Sequence, residues 1–216
     1  MTNMVDKRTE FRALIFDLGK VVFDLSFDKV FQSWATLSNR QFEEIKSKFQ
    51  FDQLFDKFEK NEISAAEFRI TVSKRLNLKL IDEDFDKAWC NLYLDVYDDI
   101  DNLLTELKSN YKLVALTNTN VIHHKIWRVK YADTLRHFEK IFSSHEIETR
   151  KPERKSYEIV LDYLKCRPTE TIFLDDNLDN IQGAKKLGIE TILVSSTEQM
   201  KHDLQKYITL KTDRIQ

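Results

Sequence analysis

Short apolar runs punctuate the chain, and stretches of helical spacing fill most of the distance between them. Four runs are continuous rather than alternating: residues 13–16 (Ala-Leu-Ile-Phe), 113–116 (Leu-Val-Ala-Leu), 171–174 (Thr-Ile-Phe-Leu) and 191–194 (Thr-Ile-Leu-Val). Unbroken apolar tetrads predict strands covered on both faces, as in a parallel sheet. Residues 140–143 (Lys-Ile-Phe-Ser) are a weaker fifth candidate. Helix-length stretches flank the later runs, at residues 99–109, 121–137, 153–165, 180–187 and 197–207. Strand and helix in alternation predict an α/β fold with a doubly wound, Rossmann-like parallel sheet.

The first interval breaks the rhythm. Between Asp17 and Leu113 no buried strand is evident. Phe27, Val30, Phe31 and Trp34 recur at i, i+3, i+4 and i+7, the spacing of one helix face. Ser64 followed by Glu67 three residues on is a capping-box start, and Phe68, Val72, Leu76 and Leu78 continue an apolar face from it. The expectation is a helical cap subdomain at residues 27–95, inserted after the first strand of a core made of residues 1–26 and 96–216. Trp34, Phe49, Phe51, Phe55 and Phe58 are expected to form mostly cap core, with one or two facing the crevice.

Composition narrows the picture. With 42% hydrophobic and 32% charged residues in 216, a packed soluble globule is expected. Lys+Arg is 34 against 36 Asp+Glu, so nothing favours a nucleic-acid partner. Three glycines cannot build a Gly-rich nucleotide loop. Cys90 and Cys166 lack CxxC spacing and read as ordinary thiols. No apolar run approaches the ~20 residues of a membrane helix, and residues 1–12 are too polar for a secretory signal. A cytoplasmic monomer with a small-molecule substrate is the expectation.

The candidate chemistry follows the strands. The first run ends in Asp17-Leu18-Gly19, the second in Thr117-Asn118-Thr119-Asn120, and the third in Asp175-Asp176-Asn177, with Asp179 and Asn180 beyond; Lys151-Pro152 opens the helix before the third. Taken one at a time, these are ordinary turn residues, helix caps and a surface lysine. Ligands of open α/β sheets bind outside the carboxyl ends of the strands, so together they should meet in one crevice. His123 and His124 are neighbours on an expected helix and face different ways; they read as surface residues. Lys125, Arg128 and Lys130 read as a solvated face.

These stretches carry a family likeness. Residues 16–22 (Phe-Asp-Leu-Gly-Lys-Val-Val), 116–118 (Leu-Thr-Asn), 150–152 (Arg-Lys-Pro) and 173–177 (Phe-Leu-Asp-Asp-Asn) resemble the signatures of haloacid dehalogenase-like hydrolases with an inserted helical cap. Within that family the pattern is similar to the group around bacterial alpha-D-glucose-1-phosphate phosphatase. The resemblance implies Mg²⁺-dependent hydrolysis of a small phosphate ester through an aspartyl-phosphate. It implies Asp17 as nucleophile and metal ligand, a metal-bound backbone carbonyl at Gly19, and Asp176 as the other protein ligand. Lys151 would neutralise the transferring group. Thr117 and Asn118 would hold its oxygens, while Asp175 and Asn180 would act behind them or through water. The residue types fit this chemistry. A carboxylate at ~4 Å from a phosphate oxyanion meets ~4 kcal/mol of repulsion per charge pair at an effective dielectric of ~20, which a cation must offset.

Gly19 departs from the commonest family pattern, which has a second Asp there to protonate the leaving oxygen and activate water. An anomeric or acyl leaving group needs little protonation, so a sugar 1-phosphate or acyl phosphate fits. Asp24 reads as structural, holding the turn after the first strand. A metal-independent haloacid dehalogenase also lacks the second Asp and stands as an alternative, as does a catalytically weak binding module that keeps the site.

Overall fold

Residues 10–210 are described by a computed structural model; most of the polar N-terminal stretch lies outside them. The chain opens with β1 (Ala13–Phe16) and β2 (Phe23–Leu25). Five helices follow: α1 (Phe27–Ser38), α2 (Phe42–Lys48), α3 (Gln53–Glu59), α4 (Ala65–Leu76) and α5 (Asp82–Trp89). Next come β3 (Tyr93–Val96), α6 (Ile100–Lys108), β4 (Lys112–Thr117), α7 (Val121–Lys130), α8 (Ala132–Leu135), β5 (Lys140–Ser143) and α9 (Ser144–Ile147). The chain closes through α10 (Arg154–Leu164), β6 (Thr171–Asp175), α11 (Leu178–Lys185), β7 (Glu190–Leu193) and α12 (Thr197–Leu204).

The five strands expected from the apolar runs form one parallel sheet in the order β5-β4-β1-β6-β7. The central strand divides its side chains by the period of two. Leu14 and Phe16 join Leu113, Ala115, Ile172 and Leu174 in the core on one face. Ala13 and Ile15 join Val114, Leu116 and Phe173 in the core on the other. Both faces being covered is why these strands read as unbroken apolar runs. The register sets Phe16 beside Ala115 and Leu174, so Asp17, Thr117 and Asp175 emerge at the same sheet edge.

The helices α1 to α5 close around a separate aromatic cluster. Val30, Phe31 and Trp34 are buried, as their spacing requires, and the Ser64–Glu67 capping box forms at the start of α4. Phe68, Val72, Leu76 and Leu78 are buried as well. Trp34 stacks on Trp89 with ring centroids 5.3 Å apart, and Phe58 stacks on Phe68 at 4.2 Å. Phe55 and Phe58 belong to this core, whereas Phe51 is exposed.

Three expectations need correction. β2 and β3 form an antiparallel two-stranded sheet, with Leu25 opposite Tyr93. Their three and four residues are too short for a period-of-two signal. The helix expected over 121–137 ends at Lys130 and restarts at Ala132. At the break, the Tyr131 ring stacks on Phe23 at 4.1 Å and its hydroxyl donates to the Leu94 carbonyl. His123 is not a surface residue: it is buried, stacked on Trp89 at 4.5 Å.

Candidate active site

Lys151 Nζ lies 2.7 Å from Asp17 Oδ1 and 2.6 Å from Asp175 Oδ2, and its side chain is 1% exposed. Asp17 is held at the end of β1, its N–H donating to the Leu174 carbonyl and extending the ladder to β6. Asp175 ends β6 and is wholly buried. Its carboxylate also accepts from the Asn177 N–H at 2.8 Å and from Asn180 Nδ2 at 3.0 and 3.1 Å. Asn180 is fixed in turn, its carbonyl accepting from the Tyr157 hydroxyl at 2.8 Å. With its oxygens so occupied, Asp175 is suited to aiming the lysine rather than to binding a ligand.

Asp176 completes the group. Carboxylate oxygens of Asp17, Asp175 and Asp176 all lie within 4.8 Å of one another. Burial pushes the Asp17 carboxyl up to about 7; Lys151 pulls it down, and Asp175 and Asp176 push it further up. Asp176 is raised too, by burial and then by Asp175. Burial works against the Lys151 ammonium, but Asp17 and Asp175 outweigh it and its pKa stands above the ordinary lysine value. Three carboxylates thus face the paired Lys151 ammonium, with Lys20 at the rim acting on Asp176. The donor set is all hard oxygen, which fits a divalent cation such as Mg²⁺.

A crevice of about 210 Å³ opens over this group. Of the residues singled out from the sequence, Asp17, Gly19, Thr117, Asn118, Thr119, Lys151, Asp176 and Asn180 line it, and Asp175 lies beneath. Asn118 offers two groups to a phosphate oxygen, its side-chain amide and its main-chain N–H. Its side-chain amide is spent on the Lys151 backbone, donating to the carbonyl and accepting from the N–H, both at 2.9 Å. That leaves its main-chain N–H as the group to face a phosphate oxygen. Asp24 does hold a turn: its Oδ1 accepts from the Leu25 N–H at 2.8 Å and from the Tyr97 hydroxyl at 3.1 Å.

The walls were not foreseen. Lys20, Phe23, Leu25, Phe27, Tyr93 and Trp127 complete the lining, and three of them come from the β2–β3 ribbon that the sequence pattern hides. Arg150, beside the lysine, meets Asp56 and Glu59 of α3, the latter at 2.9 Å. Burial pushes Glu59 up to about 7 although Arg150 opposes it. Gly183 explains itself by crowding: a Cβ there would stand 2.9 Å from Pro152 Cβ and 3.0 Å from the Pro152 carbonyl oxygen. The bare backbone lets α11 pack against the loop that carries Lys151.

Comparison with known proteins agrees with this geometry. A family model for haloacid dehalogenase-like hydrolases matches residues 14–194. The D-ribitol-5-phosphate phosphatase of Bacteroides thetaiotaomicron is 24% identical over 198 residues, covering 88% of this chain and 95% of that protein. The HAD family enzyme bt-2542 from the same organism has been solved in complex with magnesium and inorganic phosphate. It matches at a TM-score of 0.77 and 30% identity, covering 89% of this chain and 98% of that one. A predicted HAD-like family hydrolase from Porphyromonas gingivalis has a TM-score of 0.77 at 21% identity, covering 91% and 97%, and speaks for the fold alone. Four separated stretches meet at one sheet edge and the family match spans residues 14–194, so the chain belongs to the haloacid dehalogenase-like hydrolases.

Proposed function

We propose that this protein is a Mg²⁺-dependent phosphatase for a small sugar or polyol phosphate, working through a phosphorylated Asp17. The observation that carries the reading is Lys151 Nζ between Asp17 and Asp175, at 2.7 and 2.6 Å, beside the carboxylate of Asp176. An Asp17 oxygen attacks phosphorus, the bond to the leaving oxygen breaks, and that oxygen takes a proton from solvent. Water then attacks the same phosphorus, releasing inorganic phosphate and regenerating the carboxylate. Lys151, held by two carboxylates, offsets charge on the transferring group, and Thr117 with the Asn118 N–H donates to its oxygens. Asp17, Asp176 and the Gly19 carbonyl would hold the cation, which supplies charge neutralisation and orientation of phosphoryl oxygens.

The substrate class rests on four supports. The crevice, at about 210 Å³, is below the ~300–1,000 Å³ of sites for drug-sized ligands. Phe27, Tyr93 and Trp127 offer apolar walls of the kind that suit the C–H face of a sugar. Glycine at position 19 provides no acid for the leaving oxygen, which favours a sugar 1-phosphate; the likeness to a D-ribitol-5-phosphate phosphatase favours an open-chain polyol phosphate. Residues 27–95 would serve as a cap that excludes water and selects among these over a core of 1–26 and 96–216.

The test is phosphate release from glucose 1-phosphate, glucose 6-phosphate, ribitol 5-phosphate and acetyl phosphate, with and without EDTA, beside halide release from 2-chloropropionate. Phosphate release abolished by EDTA and restored by Mg²⁺ is expected. EDTA-resistant halide release would replace the reading with a dehalogenase, and inertness toward every substrate with a binding module.

A further inference from the structure

We propose that His124, His145 and Glu146 form a second metal site, separate from the carboxylate cluster, for a transition-metal ion of the Zn²⁺ class. One donor atom from each residue lies within 4.8 Å of the other two. His124 comes from the first turns of α7, and His145 and Glu146 from α9. The two imidazole centroids are 4.8 Å apart at 60°. His124 Nε2 stands 4.0 Å from Glu146 Oε1, too far for a hydrogen bond. His124 and Glu146 are therefore close without a hydrogen bond between them.

His145 supplies the independent observation. It is 8% exposed, and its Nδ1 is buried without a hydrogen-bond partner. A buried ring nitrogen without a partner is costly, and coordination of the cluster gives the imidazole a reason for its position. Neutral imidazole is the ligating form.

The donor set decides the metal. Two imidazoles and one carboxylate suit Zn²⁺, Co²⁺ or Ni²⁺ and not Mg²⁺, which prefers oxygen. Glu146 borders a cleft of about 520 Å³ along β5, leaving room for water at the remaining coordination positions. The site is also joined to the catalytic loop. Ser144, next to His145, accepts from the Thr119 N–H at 2.9 Å and donates to the Thr119 carbonyl at 2.8 Å. A metal holding α9 to α7 would brace the loop that follows Thr117 and Asn118.

The selectivity gives a clean test. The full chain is stripped with EDTA, returned to excess Mg²⁺, and titrated with Zn²⁺ by calorimetry. One tight equivalent is expected. Glu146→Gln and His124→Ala should each weaken it by about tenfold or more, with far-UV circular dichroism unchanged. Co²⁺ in place of Zn²⁺ should give visible d–d absorption that both variants lose. Glu146 has a half-exposed side chain, so its variant decides the matter even if His124→Ala folds poorly. Undiminished Zn²⁺ affinity in Glu146→Gln, or no Zn²⁺ equivalent in the presence of Mg²⁺, overturns the proposal.

Discussion

The Asn118 side chain grips both main-chain polar groups of Lys151, donor to carbonyl and acceptor to N–H, each at 2.9 Å. This two-point clasp joins the end of β4 to the loop before α10 and fixes where the lysine begins. Removing it in Asn118→Ala should let the ammonium wander from Asp17. A misplacement of about 1 Å costs on the order of a hundredfold in rate, so kcat is expected to fall by roughly that factor, with a smaller change in KM. Lys151→Ala should lose more, because it removes the charge itself. Steady-state kinetics of both variants make the check; Asn118→Ala at the wild-type rate would show that the clasp does not position the lysine.

Asp17 is both the proposed nucleophile and a buried carboxyl, and a single variant separates the two. Asp17→Asn should lower turnover at least about a thousandfold, on the scale seen when a nucleophile is removed. Its stability should move the other way. The folded carboxyl stands at about 7, mainly through burial. A raised acid lends stability below its unfolded value near 4 and loses it as pH rises through 7. In EDTA at pH 8 the wild type bears the full cost of an ionised Asp17, and Asp17→Asn should melt higher. Adding Mg²⁺ should reverse that order by stabilising the wild type. Thermal melts at pH 5 and 8, with and without Mg²⁺, decide it.

Gly19 lies under the tip of the Leu25 side chain. A Cβ at position 19 would meet Leu25 Cδ1 at 2.5 Å. Restoring an acid with Gly19→Asp therefore forces the Leu25 side chain aside. The single variant should gain little activity on poor leaving groups. Gly19→Asp with Leu25→Ala should open the space and raise kcat/KM for glucose 6-phosphate relative to glucose 1-phosphate. A ratio unchanged in the double variant would mean that the missing acid does not set leaving-group preference.

How much of this was legible in the chain follows from the kind of signal each part leaves. β1, β4, β6 and β7 announce themselves because burial on both faces demands unbroken apolar residues, and the strand ends then locate Asp17, Thr117 and Asp175. Even β5, with one weak tetrad, could be read. The β2–β3 ribbon could not, since Phe23–Leu25 and Tyr93–Val96 are too short for a period and pair across about seventy residues. Leu25 and Tyr93 in the crevice wall were hidden with it. His123 misled for another reason. Polarity suggests a surface, but its ring nitrogens are matched inside by Asn120 at 3.1 Å and the Trp89 carbonyl at 3.0 Å. Pairings between distant segments leave no local trace, and the same holds for Asn118 with Lys151.

Arg150 ties the loop that carries Lys151 to α3. Its guanidinium meets Asp56 and, at 2.9 Å, Glu59, whose side chain is almost fully buried. Arg150→Ala would leave Glu59 in the interior without its cation, and breaking a buried pair this way costs about 3 kcal/mol or more. Replacing both, as Arg150→Met with Glu59→Leu, should recover most of that loss, because the desolvated charge goes too. Activity should not recover in parallel: Lys151 is the next residue, and its placement depends on the anchored arginine. Urea unfolding and kcat of the single and double variants test the split.

His123 should give the protein an acid-side weakness that can be assigned to one residue. Burial holds its pKa down to about 3, although the hydrogen bond to the Trp89 carbonyl works in the other direction. In the unfolded chain it titrates near 6.5. Between those values the unfolded state binds a proton that the folded state refuses. Stability from this group is therefore complete above about 6.5 and falls as the pH drops toward 3. The slope is about 1.4 kcal/mol per pH unit where the two states differ by a full proton. Over pH 6 to 4 that amounts to roughly 2–3 kcal/mol, a sizeable part of a typical domain's stability. Other groups titrate in the same range, so the useful quantity is the difference between wild type and His123→Gln, which cannot take up the proton. Gln should be destabilising at pH 7, where it forfeits the stacking on Trp89, and the gap should narrow steadily toward pH 4. Urea unfolding at four or five pH values gives the gap directly. A gap that stays constant would mean that His123 accepts its proton in the folded state, and that the face it shares with Trp89 opens to water.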